Sequence, residues 1–223
     1  MRIGVLGTGM VGQAIAARLA GLGHEVMMGS REANNPKALD FAAASGARAG
    51  SFGQAADFAE IVFNCTNGAN ALSALQLAGA DNLRGKVLAD LSNPLDFSRG
   101  FPPFLSVCNT DSLAETIQRA FPETCVVKTL CTVNADIMVE PRRLSGNHHV
   151  YLSGNDEAAK EAIRALLVEF GWRKVIDLGG IETARGQEMM MPLWLSLWKG
   201  LGTAQFNFTL VTDEGNDGDQ GLT

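Results

Sequence analysis

Arg2-Ile3-Gly4-Val5-Leu6-Gly7-Thr8-Gly9-Met10-Val11-Gly12 is an apolar run that passes at once into G-x-G-x-x-G. Val11, Ile15, Leu19 and Leu22 then recur at helical spacing. Gly23 stops that helix, and Glu25-Val26-Met27-Met28 reads as a second strand ending in Gly29-Ser30-Arg31. Strand, glycine turn, helix, strand is the unit that receives a dinucleotide pyrophosphate. Each glycine has its own task. Gly7 turns the chain with φ above zero. Gly9, without a Cβ, lets the backbone approach a phosphate, and Gly12 lets the helix pack against the strand. The helix starting near Met10 then turns its unpaired N–H groups and positive dipole end toward the anion. A lone G-x-G-x-x-G is weak evidence; here the two strands and the helix it requires are in register around it.

The end of the second strand selects the dinucleotide. An NAD site carries Asp or Glu there, accepting from the ribose 2′-OH. This chain has Gly29-Ser30-Arg31 instead. A small residue leaves room, Ser30 offers a hydroxyl, and the planar guanidinium of Arg31 suits a phosphate. That pattern predicts NADP(H), with Lys37 just downstream as a second charge.

The 223 residues are 46% hydrophobic, enough for one large core. The formal net charge of −6 argues against a nucleic-acid surface. Four of the acids, Asp213, Glu214, Asp217 and Asp219, lie at the end of the chain, so residues 211–223 read as a disordered acidic tail. Cys65, Cys108, Cys125 and Cys131 form no C-x-x-C pair, and the three histidines make no metal pattern. Reduced cysteines, a strand at the very N-terminus instead of a signal peptide, and no apolar run long enough for a bilayer predict a cytoplasmic protein without a membrane partner.

Beyond residue 31, strands and helices alternate. Helices are predicted from Pro36 to Ser45 and from Ser51 to Ala59, and a strand over Glu60 to Cys65 leads into Thr66-Asn67-Gly68. A strand over Lys86 to Asp90 leads into Ser92-Asn93-Pro94, and another spans Cys125 to Leu130. This pattern predicts a Rossmann-type, doubly wound α/β fold with a mainly parallel sheet and ligands at the carboxyl ends of the strands. Thr66, Asn67, Asn93 and Pro94 then border the nicotinamide end. Residues 1–180 form the NADP-binding domain. One apolar helix over about 183–208, within a 181–210 segment, packs on that domain or on a second subunit. Its apolar residues run almost all round, which predicts burial in a core or a homodimer interface, with Met/Trp side chains suited to a flat aromatic substrate.

These motifs resemble those of the NADPH-dependent reductases of the deazaflavin coenzyme F420, and of the wider group that includes the cytosolic domain of the six-transmembrane metalloreductases. The resemblance covers nearly all of residues 1–210. It rests on Gly7 to Gly12, Leu22-Gly23-His24-Glu25-Val26, Gly29-Ser30-Arg31, Val126-Val127-Lys128-Thr129-Leu130 and the helix around Glu188 to Trp198. It implies that Thr8, Gly9, Met10 and Val11 hold the pyrophosphate, Ser30 and Arg31 the 2′-phosphate, and Thr66, Asn67, Asn93 and Pro94 the nicotinamide end. It implies a second-substrate pocket formed by Cys131, Thr132, Val133, Asn134 and Ala135 with the terminal helix, including Met190 and Trp194. This chain carries Cys131 where the deazaflavin reductases often have histidine and the metalloreductase-like branch usually has asparagine.

Carbonyl or imine reduction needs a proton donor, usually Tyr, Lys or His. Tyr151 lies in a late strand, His148 and His149 precede that strand, and Lys128 lies within a strand, so no donor is assigned. Hydride transfer between two stacked rings asks mainly for orientation and exclusion of water. The leading expectation is therefore hydride exchange between NADPH and a deazaflavin or flavin. The alternatives are a small NADPH-dependent carbonyl or imine reductase and a non-catalytic NADP-sensing module.

Overall fold

The computed structural model describes residues 1–213, so the expected acidic tail falls almost wholly outside the described residues. The opening unit forms as β1 (Arg2–Leu6), α1 (Met10–Gly21) and β2 (Glu25–Ser30). α2 (Pro36–Ser45) starts on Asn35, whose side chain accepts from the Ala38 N–H at 3.3 Å, and ends at Gly46 with φ 73°. β3 (Arg48–Ser51) leads into α3 (Phe52–Phe58) through a capping box between Ser51 and Gln54. β4 (Ile61–Asn64), α4 (Ala71–Ala78), α5 (Ala80–Leu83) and β5 (Val87–Asp90) follow. A short antiparallel pair, β6 (Leu95–Asp96) and β7 (Phe104–Leu105), then precedes α6 (Leu113–Ala120) and β8 (Cys125–Thr129). The chain continues through α7 (Ala135–Val139), β9 (His149–Gly154), α8 (Glu157–Phe170), β10 (Lys174–Asp177), α9 (Ala184–Met189) and α10 (Met191–Leu201).

Eight strands make one sheet in the order β10-β9-β8-β5-β4-β1-β2-β3. Six run parallel, and their carboxyl ends line one edge. β9 is antiparallel to β8, and β10 is parallel to β9, so these two point the other way. Both faces are covered, as a parallel sheet requires. Ile15 and Leu19 of α1, Ile137 of α7 and Ile163, Leu166 and Phe170 of α8 bury one face. Alanines of α3 and α4, with Leu75, Ile117 and Ile181, bury the other. Each fully buried Ile, Leu or Phe contributes about 1.5–3 kcal/mol.

The C-terminal segment departs from the single helix expected over 183–208. Pro192 sits in the first turn of α10, where its missing N–H costs little but the hydrogen-bond ladder from α9 cannot run through. Gly202, at φ 68°, ends α10. Residues 203–213 then run without helix or strand, and Phe206 returns to stack on Trp194 with ring centroids 5.3 Å apart. Nor is the helix buried all round. Met191, Trp194 and Leu195 face inward onto Leu95, Phe206 and Phe208, whereas Leu193, Trp198 and Leu201 are about half exposed.

Candidate active site

The glycine turn is shaped by backbone contacts that exclude side chains. Gly7 adopts φ 122° and donates its N–H to the Gly29 carbonyl at 2.9 Å. A Cβ on Gly12 would lie 2.1 Å from the Gly7 carbonyl oxygen, so only hydrogen fits. Around Gly9 the space a Cβ would enter is open to 4 Å. Gly9 is also the N-cap of α1, with no capping side chain and no acid in the first turn, and Met10 is exposed. The first-turn N–H groups, including Met10 and Val11, have no intrahelical acceptor and face outward.

This turn opens on a cavity of about 250 Å³, lined by Gly7, Thr8, Gly9, Arg31, Cys65, Thr66 and Asn67 together with residues of α3 and α4. Arg31 makes no hydrogen bond, ion pair or ring contact with any described residue. Ser30 is buried, and its hydroxyl donates to the Glu32 carbonyl, which fixes the loop carrying Arg31. Lys37 is exposed in the first turn of α2 and does not line the cavity.

At the other end, the loops after β4, β5 and β8 converge. Thr66 donates its hydroxyl to Asn64 Oδ1 at 2.6 Å, and the Asn67 side chain accepts from the Ala69 N–H at 3.0 Å. Gly68 packs against Asn93 so closely that a Cβ would lie 1.8 Å from the Asn93 carbonyl oxygen. Asn93 Nδ2 donates to the Cys131 carbonyl at 2.7 Å. Leu130, at φ 57°, takes the left-handed conformation as β8 gives way to Cys131, a local strain of about 1–3 kcal/mol for a non-glycine residue. Cys131, Thr132, Val133 and Ala135 are buried, and Val133 belongs to the core with Ile137 and Met138. Met190 is half-buried at the α9–α10 junction. Trp194 and the loop after Pro94 share a separate apolar cluster through Leu95.

Beneath these loops lies a buried ionic cluster. Lys128 Nζ is 2.8 Å from Asp90 Oδ2 and 3.0 Å from Glu188 Oε1, and it also donates to the Ser92 carbonyl. Asp90 Oδ1 accepts from Asn64 Nδ2 at 2.8 Å and Ser92 Oγ at 2.7 Å. The Glu188 carboxylate accepts the Leu113 and Ala114 N–H groups at 2.8 and 3.1 Å, so α9 caps the start of α6. All three charged side chains are essentially inaccessible. Burial alone would lower the Lys128 pKa, but Asp90 and then Glu188 outweigh it and hold it above the usual lysine range.

Other ionisable groups are held elsewhere. Burial, and secondarily Asp90, pushes the Cys65 thiol far up; burial pushes Cys131 up to about 12 despite Lys128, so both stay protonated near neutrality. His148 Nε2 contacts the Pro141 carbonyl at 2.9 Å, and the His149 pKa is lowered by burial, then by Lys174 and His148. Both histidines accept at Nδ1 from the C-terminal segment, His148 from Asn207 and His149 from the Leu210 N–H. Burial raises the Tyr151 phenol. Three buried polar atoms near the converging loops have no partner among the described residues: Asn93 Oδ1, Thr129 Oγ1 and Trp194 Nε1. The sequence assigns no role to Asp90, Gln187 or Glu188, although charges inside apolar strands signal buried pairing.

This is the fold of Rossmann-type dinucleotide-binding proteins, with an open, uncapped helix N-terminus at the G-x-G-x-x-G turn. A family model described as NADP oxidoreductase, coenzyme F420-dependent, matches residues 2–94. A crystal structure from Arthrobacter sp. FB24, provisionally described as an F420-dependent NADP reductase, is 50% identical; it covers 94% of this chain and 99% of its own, with a TM-score of 0.90. The F420-dependent NADP reductase of Methanocaldococcus jannaschii is 28% identical over 91% of this chain and 96% of its own. The rat metalloreductase STEAP3 is 30% identical over 89% of this chain, which spans only 38% of that longer protein. The chain belongs to the F420-dependent NADP oxidoreductase family and is an NADP-dependent oxidoreductase. Among the described residues no helix is long and apolar enough to cross a membrane.

Proposed function

We propose that the protein exchanges hydride between NADPH and a deazaflavin of the coenzyme F420 type, or a flavin, at the junction of the β4, β5 and β8 loops with α10. The observation that carries this reading is where the acid–base candidates lie. Lys128 is locked in an ion cluster, and His148 and His149 are bonded to the C-terminal segment. Tyr151 is buried in β9. Hydride transfer between two stacked rings leaves the accompanying proton to reach a ring nitrogen from solvent, whereas carbonyl or imine reduction needs a donor at the carbonyl oxygen or imine nitrogen.

The groove fits NADP(H). The open space at Gly9 and the free N–H groups of Met10 and Val11 suit the pyrophosphate, with Gly7, Thr8 and Gly12 shaping the turn. The unpaired Arg31, on a loop fixed by Ser30, suits the 2′-phosphate, with Lys37 as a more distant charge. When bound, the nicotinamide supplies or accepts the hydride. Thr66, Asn67, Asn93 and Pro94 orient its end of the groove, and the orphaned Asn93 Oδ1 is an acceptor suited to an amide N–H. Cys131 to Ala135, with Met190 and Trp194, wall the second-substrate side and exclude water. Residues 181–210 thus complete the site offered by residues 1–180. The half-exposed Leu193, Trp198 and Leu201 support a homodimer, and the reduced cysteines suit a cytoplasmic setting.

Two measurements test this. Arg31→Ala weakens NADPH binding roughly 10- to 100-fold and leaves NADH nearly unchanged; equal losses for both overturn the 2′-phosphate assignment. NADPH oxidation is then followed with coenzyme F420, FMN, FAD, ferric chelates and cyclic imines. Turnover with F420 or a flavin is expected, and no turnover with either overturns the assigned acceptor class.

A further inference from the structure

Three arginines, Arg31, Arg142 and Arg173, make no hydrogen bond, ion pair or ring contact among the described residues. They fall into two cavities. Arg31 lines the dinucleotide groove, whereas Arg142 and Arg173 both line a separate cavity of about 270 Å³ with Leu144, Asn147, His148 and Trp172. In a chain of net charge −6, two unpaired guanidinium groups on one concavity call for a reason.

The nearby acids do not supply it. No Asp or Glu lines the cavity. Glu140 and Asp136 pair with Arg143, at 2.7 and 3.5 Å, and Glu169 pairs with His24 at 2.9 Å. Nor are the arginines needed to neutralise the end of α8, the usual structural use of a cation there. Arg18 donates to the Glu169 and Phe170 carbonyls at 3.1 and 3.2 Å, and the Gly171 and Trp172 N–H groups take Val168 and Leu167. Gly171 leaves a bare backbone wall: a Cβ there would lie 3.6 Å from Arg142 Nε. The lining is also aromatic, with Trp172 edge-on to His148 at 5.1 Å.

We propose that this cavity is a second anion site, which takes a small organic dianion, a phosphate ester or a dicarboxylate, between the forks of Arg142 and Arg173. Bidentate guanidinium–oxyanion pairing supplies the attraction, and the Trp172, Leu144 and Pro141 surfaces hold the carbon skeleton. A cavity just under the usual lower bound for ligand pockets suits a compact metabolite and not a nucleotide. The loops that form it precede β9 and β10. Because those strands are reversed, it lies on the same edge of the sheet as the carboxyl ends of the other six.

The test uses the full chain at constant ionic strength, titrated separately with inorganic phosphate and malonate, with tryptophan fluorescence and calorimetry as readouts. At least one probe binds saturably with a dissociation constant below about 1 mM, about 4 kcal/mol. Binding weakens at least tenfold in R142A/R173A and is unchanged in R31A and in the presence of saturating NADP⁺. Phosphate preference assigns a phosphate ester, and malonate preference a dicarboxylate. Both arginines are exposed, so a melting temperature close to the parent's confirms that the double variant is folded. The proposal is overturned by the absence of saturable binding, by parental binding in the folded double variant, or by loss of the signal in R31A or under NADP⁺. The last result places the anion in the dinucleotide groove instead.

Discussion

Replacing Lys128 with Met removes the ammonium from between Asp90 and Glu188 while nearly keeping its volume. Both carboxylates keep other donors: Asn64 Nδ2 and Ser92 for Asp90, the Leu113 and Ala114 N–H groups for Glu188. Their combined charge nevertheless goes from −1 with Lys128 to −2 without it, at a site closed to water. Removing one partner of a buried ion pair costs about 3–5 kcal/mol, mostly from the charge left behind. For a chain of this size each kcal/mol lowers Tm by about 2–4 °C, so K128M is expected to melt about 6–20 °C below the parent. In urea, with m of about 2–3 kcal/mol/M, the midpoint falls by about 1–2.5 M with m unchanged. Neutral pH sees the full effect. The folded-state pKa of Lys128 is raised, so its contribution is complete below about pH 10.4 and is lost only as pH rises through the higher folded value. The companion variant D90N/K128M/E188Q removes all three charges and should recover part of the loss. A K128M loss below about 1 kcal/mol, or a triple variant less stable than K128M, would refute the picture of a charge-balanced buried cluster.

Three further predictions follow from local geometry. Gly9→Ala places its methyl in open space, so stability stays within about 1 kcal/mol of the parent while NADPH affinity drops at least roughly tenfold; a variant that binds NADPH normally removes Gly9 from the phosphate cradle. Gly12→Ala drives a methyl into the Gly7 carbonyl and should cost about 1–3 kcal/mol or more in denaturant unfolding; parental stability would contradict the 2.1 Å approach. The hydrogen bond from Arg185, assisted by Ser112, holds the Glu115 carboxyl below the usual carboxylate range against the effect of burial. Its contribution is therefore present above about pH 4.3 and is lost as pH falls through the lower folded value. Between pH 5 and 3 the Tm of E115Q should fall less steeply than the parent's; parallel slopes would remove Glu115 from the acid limb.

The fold was legible because its signals are local. Gly7, Gly9 and Gly12 act within one turn, Ser51 caps the helix that follows it, and the strands of the parallel sheet are short apolar runs. The reversal of β9 was not legible, since strand direction depends on the path of the chain over residues 131–148 and not on β9 itself. The C-terminal helix ends earlier than the apolar pattern predicts, because Phe206 and Phe208 continue that pattern past Gly202, where the helix stops. A hydrophobic count cannot tell a helix face from an extended segment folded back on Trp194. The family agrees with the NADP preference that Ser30-Arg31 predicts, while the Ser30 hydroxyl donates to the Glu32 carbonyl of its own loop. From the sequence, Lys128 is only a lysine in a strand. Its partners lie 38 and 60 residues away, and no periodicity links them.

The reversal of β9 and β10 also predicts how the molecule tolerates change. Their carboxyl ends point to the edge away from the dinucleotide groove, and that edge is sealed. Gly154 N–H donates to the Gly179 carbonyl, Asn155 accepts from the Ile181 N–H, and Asp177 pairs with Lys160. In a saturation mutagenesis screen that scores cellular abundance and turnover separately, substitutions at this sealed edge should lower both together. Substitutions at Gly9, Arg31 or Asn67 on the opposite edge should lower turnover while abundance holds. One sheet would thus carry two mutational regimes, divided by strand direction and not by distance along the chain.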